Sequence, residues 1–236
     1  MRPGLEPALD PRLSLALDLY DSCRLAADIG TDHAHLPAAL LMRGRCQHMI
    51  LTDLSPHALE NARKEITRLT LESRAELRLG EGLTPLNEPC DMISVTGMGG
   101  RTIRSILMNG ASRLCGASLI LSAHTDLPMV RRTVMDIGYY LDREEPCFSG
   151  GRYYLVFRAR PGIKVMSDRE VRLGSLLYSS GSPVLIPFLN RMHSIIASQL
   201  SGLRSAQRTN QAKIAMLSSD LEYLEHMIHI TSLRRK

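Results

Sequence analysis

The segment Asp28-Ile29-Gly30-Thr31-Asp32-His33-Ala34-His35-Leu36-Pro37 lies between a short apolar run and the start of an amphipathic one. A glycine in such a turn lets the backbone approach a ligand closely. Open α/β sheets bind ligands at the carboxyl ends of their strands, where the strand order reverses. The next apolar run ends in Asp53, 23 residues after Gly30. A carboxylate placed there can accept hydrogen bonds from both hydroxyls of a ribose. Gly80-Glu81-Gly82-Leu83 follows the third run, and Glu81 can accept a bond from the exocyclic amine of an adenine. Thr96-Gly97-Met98-Gly99-Gly100 follows the fourth run. So many glycines at one strand end imply close approach of backbone to ligand, or of a helix to the sheet. The plainer reading of the first segment is that Asp28 caps a turn and Gly30 serves it. Asp53, at ribose distance along the chain, favours a ligand.

The phosphate-binding pattern Gly-x-Gly-x-x-Gly fails here, because Asp32 stands at its second glycine. A pyrophosphate would meet a carboxylate at that point. S-adenosylmethionine has no phosphate and carries a positive sulfonium, which Asp28 and Asp32 tolerate or favour. The methyl donor is therefore expected over a nicotinamide dinucleotide. The expected donor contacts are Asp28, Gly30, His33, Asp53, Leu54, Glu81, Gly82, Gly97 and Met98. His33 and His35 invite a metal, but methyl transfer needs none and no third ligand stands at a fixed spacing. No metal is expected.

These residues need a sheet to position them. Strands are expected at 25–29, 48–52, 75–79, 92–95, 118–121, 139–144 and 153–158. Helical patterns alternate with them. The clearest starts at Ser55-Pro56, a good N-cap followed by proline at the first helical position. Leu59, Ala62, Ile66 and Leu69 then recur at steps of three and four. Further helices are expected over 100–108 and 126–137. The alternation argues an α/β fold with a parallel, doubly wound sheet. The last two strands, with only 146–151 between them, should form an antiparallel pair at an edge.

Beyond Pro161-Gly162 the strand signals stop. Ile196, Leu200, Leu203, Gln207, Asn210, Ile214, Leu217, Leu221, Leu224 and Ile228 alternate at steps of four and three, a heptad seam with a polar middle. The expected organisation is a sheet domain over 1–160 and a helical coiled-coil domain over 161–236. A hairpin of two helices is favoured over one long helix, because it buries its own seam. A monomer is accordingly expected over a dimer, with an intermolecular coiled coil as the alternative.

Composition agrees with a globular chain: 236 residues, 44% hydrophobic and 22% charged. No window approaches eighteen consecutive apolar residues, so no membrane span is expected. The first ten residues carry one Arg, two acids and no apolar run, so no signal peptide is expected. Cys23, Cys46, Cys90, Cys115 and Cys147 are odd in number and widely spaced, which reads as reduced thiols in a cytoplasmic protein. Residues 1–159 hold 18 basic and 19 acidic side chains; residues 160–236 hold 11 and 5. The basic excess sits in the last third and points to a polyanionic partner, most often nucleic acid.

Taken together, DIGTDHAHLP (28–37), GEGL (80–83), TGMGG (96–100) and GGRYYLV (150–156) resemble the bacterial tRNA adenine-22 N1-methyltransferases. The likeness covers about residues 10–160 closely and the tail in character. It implies a Rossmann-like class I methyltransferase sheet, a C-terminal helical coiled coil, S-adenosylmethionine as donor and tRNA as substrate. Two positions depart from the family: Glu81 replaces its usual Asp, and Ser122-Ala123-His124 stands where it often has Gln-Pro-Asn. Adenine N1 already owns a lone pair, so charge develops as a cation on the base. Asp32, just past the donor turn, is the expected catalytic carboxylate that stabilises it. Amino-directed enzymes often carry Asn/Asp-Pro-Pro-aromatic after the fourth strand, and the glycine loop here fits a ring nitrogen better. Expected substrate contacts are Gly99, Gly100, Arg101, Arg104, His124, Tyr153, Arg204 and Arg208, with Arg191 and Lys213 as further phosphate contacts. The competing readings are a methyltransferase for another RNA or a small molecule, and a non-catalytic RNA-binding protein.

Overall fold

The computed structural model describes residues 7–205 and 210–233. The chain runs α1 (Pro11–Asp18), β1 (Cys23–Ile29), α2 (His35–Met42), β2 (Cys46–Asp53), α3 (Pro56–Arg68), β3 (Ala75–Leu79) and β4 (Met92–Val95). It continues with α4 (Gly100–Asn109), β5 (Ser118–Ala123), α5 (Leu127–Asp136), β6 (Tyr139–Ser149) and β7 (Arg152–Pro161). The tail holds α6 (Asp168–Leu173), a short 3-10 turn (Leu176–Ser179), α7 (Leu185–Ser205) and α8 (Gln211–Leu233).

One seven-stranded sheet has the order β3-β2-β1-β4-β5-β7-β6. Strands β1 to β5 are parallel, and β7 runs antiparallel to both β5 and β6. The strand order reverses between β1 and β4, which is where the turn at Gly30 and the glycine loop at Gly97 emerge. All four residues of β4 are buried, as expected of a parallel strand covered on both faces.

The expected edge pair is present but longer. Pairing extends from Tyr139 opposite Pro161 to Ser149 opposite Arg152. Pro146 had marked a loop in the sequence. It sits within β6 because an edge strand tolerates a missing N–H.

Helix α1 was not foreseen. Asp10 caps it, accepting from the Leu13 amide at 2.9 Å, and Pro11 fills the first helical position. That is the same signature as Ser55-Pro56 at α3, where the Ser55 hydroxyl accepts from the Ala58 amide. Two layers cover the sheet. Ala16, Leu17, Ala39, Leu40 and Ile66 of α1, α2 and α3 pack on one face. Ile103, Leu107, Val130 and Val134 of α4 and α5 pack on the other.

The core does not break at residue 160. Leu173, Leu177, Leu185, Leu189 and Leu224 of the tail join the cluster that covers β4 and β5. α7 and α8 form the hairpin: His193 meets Glu225 at 2.9 Å and Arg204 meets Ser218 at 3.4 Å, so the helices run antiparallel. Leu200, Leu217 and Leu224 are buried along the seam. Asn210, read as a seam position, instead caps α8 by accepting from the Lys213 amide. Gln207 lies outside the described residues.

Two buried charges moor the tail. Arg172 makes a bidentate pair with Asp220 of α8, at 2.7 and 2.9 Å. Arg131 of α5 donates to Glu144 of β6 at 2.5 Å and to the Val171 carbonyl at the end of α6 at 3.0 Å. Both members of the Arg131–Glu144 pair are 1% exposed. The five cysteines are free thiols, with those of Cys23 and Cys46 facing each other at 2.8 Å across β1 and β2. Among the described residues no helix is long and apolar enough to cross a membrane.

A buried charge left without its partner is costly. Glu144→Ala strands Arg131 and is expected to lower folding stability by about 3–5 kcal/mol in denaturant melts. A loss under about 1 kcal/mol would show that water reaches Arg131 and that the pair does not moor the tail.

Candidate active site at the carboxyl ends of the parallel strands

A cavity of about 570 Å³ opens where the strand order reverses. Residues 28–33 at the end of β1 and in the turn beyond it, Asp53 and Leu54 at the end of β2, 80–82 after β3 and 96–98 after β4 all line it. Every donor contact expected from the sequence is among them, as is Asp32.

Asp28 is the penultimate residue of β1 and is 3% exposed. It lies opposite Ser94 in the β1–β4 register, and the Ser94 hydroxyl donates to its carboxyl at 2.5 Å. Burial pushes that carboxyl up to about 6, while the bond from Ser94 and the charge of Arg12 pull it back. A cation arriving beside it would favour the ionised form.

The turn after β1 is pinned to β2. Gly30 and Thr31 amides donate to the Thr52 carbonyl at 2.8 and 3.0 Å, and the Asp32 amide donates to Asp53 at 3.3 Å. Gly30 has φ +75°, and a Cβ there would lie 2.2 Å from the Met98 methyl. The positive φ is what calls for glycine, because the Met98 methyl is the tip of a flexible side chain that can swing aside. Asp32 and Ala34 also take left-handed φ, at 46° and 56°. Such backbone strain in non-glycine residues concentrates at functional turns.

Asp53 accepts from the Asp32 and Ser55 amides, one on each oxygen. Each oxygen keeps a lone pair for a sugar hydroxyl. Leu54 beside it is 69% exposed, an apolar lip suited to the face of a base. The Asp32 carboxylate is 64% exposed at the mouth, with His33 Nε2 at 3.7 Å.

The donor set can be tested against a cofactor. Asp10, Asp28, Asp32, Asp53 and Glu81 give the cavity a strongly acidic lining. The Thr52 hydroxyl is buried in its wall without a partner, and Gly30 and Gly97 lack the side chains that would fill it. This fits S-adenosylmethionine: Asp53 would take the ribose, Glu81 the adenine amine, and Asp28 the cationic end. A pyrophosphate would face carboxylates instead.

The expected substrate contacts fare differently. Gly99 and Gly100 do not line the cavity. A Cβ on Gly100 would lie 2.7 Å from the Thr125 carbonyl, so these glycines let α4 pack against the 125–126 turn. Tyr153 is no open stacking platform. Its ring packs between Phe148 at 4.8 Å and Phe188 at 5.9 Å. His124 packs against the Tyr154 ring at 5.2 Å and stays outside the cavity lining. Arg101 is 83% exposed beside Asp126, and Arg104 pairs with Asp136 at 3.5 Å. Arg204, Arg191 and Lys213 lie exposed on the helical hairpin. Arg208 lies outside the described residues.

Sequence reasoning missed Asp10, Arg12 and Leu13, which α1 brings to the cavity, and Thr102, Ser105 and Ile106 on the inner face of α4. The Asp10-Pro11 cap was the available signal for the first group. His33 and His35 stack ring on ring at 5.6 Å. Among the described residues no group of three His, Cys, Asp or Glu could hold a metal.

Known proteins resemble this chain in sequence and in fold. The profile of a family described as a methyltransferase domain matches residues 9–157. The chain is 28% identical over 186 residues to the tRNA (adenine(22)-N(1))-methyltransferase of Bacillus subtilis strain 168, covering 78% of this chain and 76% of that one. In fold it is similar to the Bacillus subtilis m1A22 tRNA methyltransferase structure, with a TM-score of 0.81 at 24% identity over 94% of this chain and 99% of that chain. It is equally similar to a Streptococcus pneumoniae protein described as a putative tRNA (m1A22) methyltransferase and solved with S-adenosyl-L-methionine. There the TM-score is 0.81 at 24% identity, over 94% of this chain and all of that chain. With the family profile spanning 9–157, all of the sheet but the end of β7, the chain belongs to the methyltransferase-domain family.

Proposed function

We propose that this chain is an S-adenosylmethionine-dependent methyltransferase that methylates ring N1 of an adenine in tRNA, with adenine 22 as the position its Bacillus subtilis relative names. The observation that carries the reading is the acidic, phosphate-averse cavity at the β1–β4 switch point, built from the turn that the family profile spans. The same reading makes the protein cytoplasmic. A monomer is supported by the α7–α8 seam, which buries its own leucines.

Bound in the cavity, S-adenosylmethionine supplies an electrophilic methyl carbon. The chain's own residues do the rest. Asp53 fixes the sugar and Asp28 faces the cationic end, which aligns the donor for in-line attack. Asp32 stands at the mouth with its carboxylate free to approach a base. There it stabilises the positive charge that grows on adenine, or accepts an exocyclic proton. No base needs to remove a proton before N1 attacks. Arg191, Arg204 and Lys213 on the hairpin offer phosphate contacts that fix the substrate without reading its sequence. Those contacts offset the few kcal/mol needed to expose a stacked base.

Labelled methyl donor and bulk bacterial tRNA should yield labelled 1-methyladenosine on digestion to nucleosides. Asp32→Asn, which keeps a residue tolerant of the left-handed backbone, should cut that turnover by about 10²–10⁴-fold with an unchanged melting temperature. Label in another nucleoside would overturn the target, and full activity in the variant would overturn the role of Asp32.

Donor affinity should also follow the Asp28 carboxyl. Its proton must leave before the carboxylate can face a cation, so affinity should fall as pH drops through about 6. The limiting slope is about tenfold per pH unit. For the free protein the sign reverses: burial favours the protonated form, so Asp28 contributes stability at low pH that is lost as pH rises through about 6. Isothermal titration from pH 5 to 8 reads the first effect, and Asp28→Asn should flatten it. A pH-independent affinity in the wild type would contradict this placement of the cation.

A further inference from the structure

We propose that Cys23 and Cys46 form a reversible oxidation site, in which a hydroperoxide converts the two thiols into an intrachain disulfide across β1 and β2. Cys23 opens β1 and Cys46 opens β2, so the pair sits at the amino ends of the strands, away from the cavity at their carboxyl ends. The two residues are register partners, and their sulfurs stand 2.8 Å apart. Adjacent strands lie about 4.8 Å apart, inside the span of about 4.4–6.8 Å that a disulfide needs between its Cα atoms. Backbone bonds hold both partners. The Cys23 amide donates to the Arg45 carbonyl at 2.8 Å, and Arg74 Nη2 donates to the Cys46 carbonyl at 2.7 Å. The sulfurs therefore close on each other by side-chain rotation, with the ladder intact.

The two thiols differ in a way that assigns their roles. Cys23 is partly exposed and Cys46 is buried, so an oxidant reaches Cys23 first. The bond with Cys46 holds the Cys23 thiol below its ordinary value, against burial and the charges of Asp91 and Asp21. The same bond, with burial, pushes the Cys46 thiol up. Thiolate is the attacking form, so Cys23 is the attacking sulfur. It bonds to one peroxide oxygen as the O–O bond breaks, giving a sulfenic acid and hydroxide, which the Cys23 proton converts to water. The Cys46 sulfur then bonds to the Cys23 sulfur. The S–O bond breaks, and the hydroxide leaves with the Cys46 proton as a second water. Two thiols are oxidised to one disulfide, and one peroxide is reduced to two waters. Resolution by Cys46 keeps Cys23 from the irreversible sulfinic and sulfonic acids. Cys90 and Cys147 are poorer nucleophiles, because burial pushes their thiols up to about 12 and about 11.

The test treats the folded full chain with hydrogen peroxide, alkylates the remaining thiols and maps tryptic peptides by mass. Wild type should lose two hydrogens and yield peptide 13–24 joined to peptide 46–63, and dithiothreitol should separate them. In Cys46→Ala the same treatment should carry Cys23 on to the sulfinic acid, a gain of two oxygens that dithiothreitol does not reverse. Cys46→Ser carries the same comparison should Cys46→Ala fail to fold, and the wild-type map needs no variant. Cys23 and Cys46 both still open to alkylation, while the exposed Cys115 is oxidised, would overturn the proposal. So would a disulfide joining other cysteines, or sulfinic acid at Cys23 in wild type as readily as in the variant.

Discussion

Three backbone amides fasten the turn after β1 to the end of β2, and the chemistry of the cavity depends on that clasp. Gly30 and Thr31 hold the Thr52 carbonyl, and Asp32 holds the Asp53 carboxylate. The clasp fixes the distance between the buried Asp28 and the cavity-lining Asp53, which sit on adjacent parallel strands. It also forces Asp32 into a left-handed conformation at the mouth. Neighbouring strands must stay in register for this to hold, and the continuous β1–β2 and β1–β4 ladders supply that register. Losing the Gly30 or Thr31 amide bond would loosen the turn from β2, and losing the Asp32 amide bond would release one oxygen of the Asp53 carboxylate.

The far edge of the sheet solves a different problem. A basic helical tail has to stay on a sheet whose own helices already cover both faces. Leucines of α6, α7 and α8 join the hydrophobic cluster that continues from the sheet, and the buried Arg131–Glu144 pair ties α5, β6 and the end of α6 together. The hairpin therefore stands on the sheet as a fixed arm. Under the proposed function, its exposed Arg and Lys side chains would meet the substrate from a fixed position and would not swing independently of the cavity.

Much of this was legible in the residues. Asp28, Gly30 and Asp53 announced the site through strand-end spacing alone, and the heptad steps announced the hairpin. What sequence could not supply was packing direction. Gly99 and Gly100 resemble Gly97 in type, yet only the fold reveals that they face the 125–126 turn while Gly97 faces Arg12. Tyr153 and Tyr154 alternate on a strand, but which ring meets Phe188 and which meets Arg12 depends on where the tail lands. Helix α1 was overlooked because it is short and begins close to the start of the chain, although Asp10-Pro11 repeats the cap logic of Ser55-Pro56. The boundary at 160 matched the end of the last strand, but strand patterns say nothing about whether a core continues past them.

The central claim is that the cavity accepts an adenosine bearing a positive sulfonium and refuses a pyrophosphate. Calorimetric titration of the folded full-length chain with S-adenosylmethionine and, separately, with a nicotinamide dinucleotide puts that choice directly. Saturable heat with the first and none with the second is the predicted result. Tight binding of the dinucleotide with silence toward the sulfonium would contradict the account at its base.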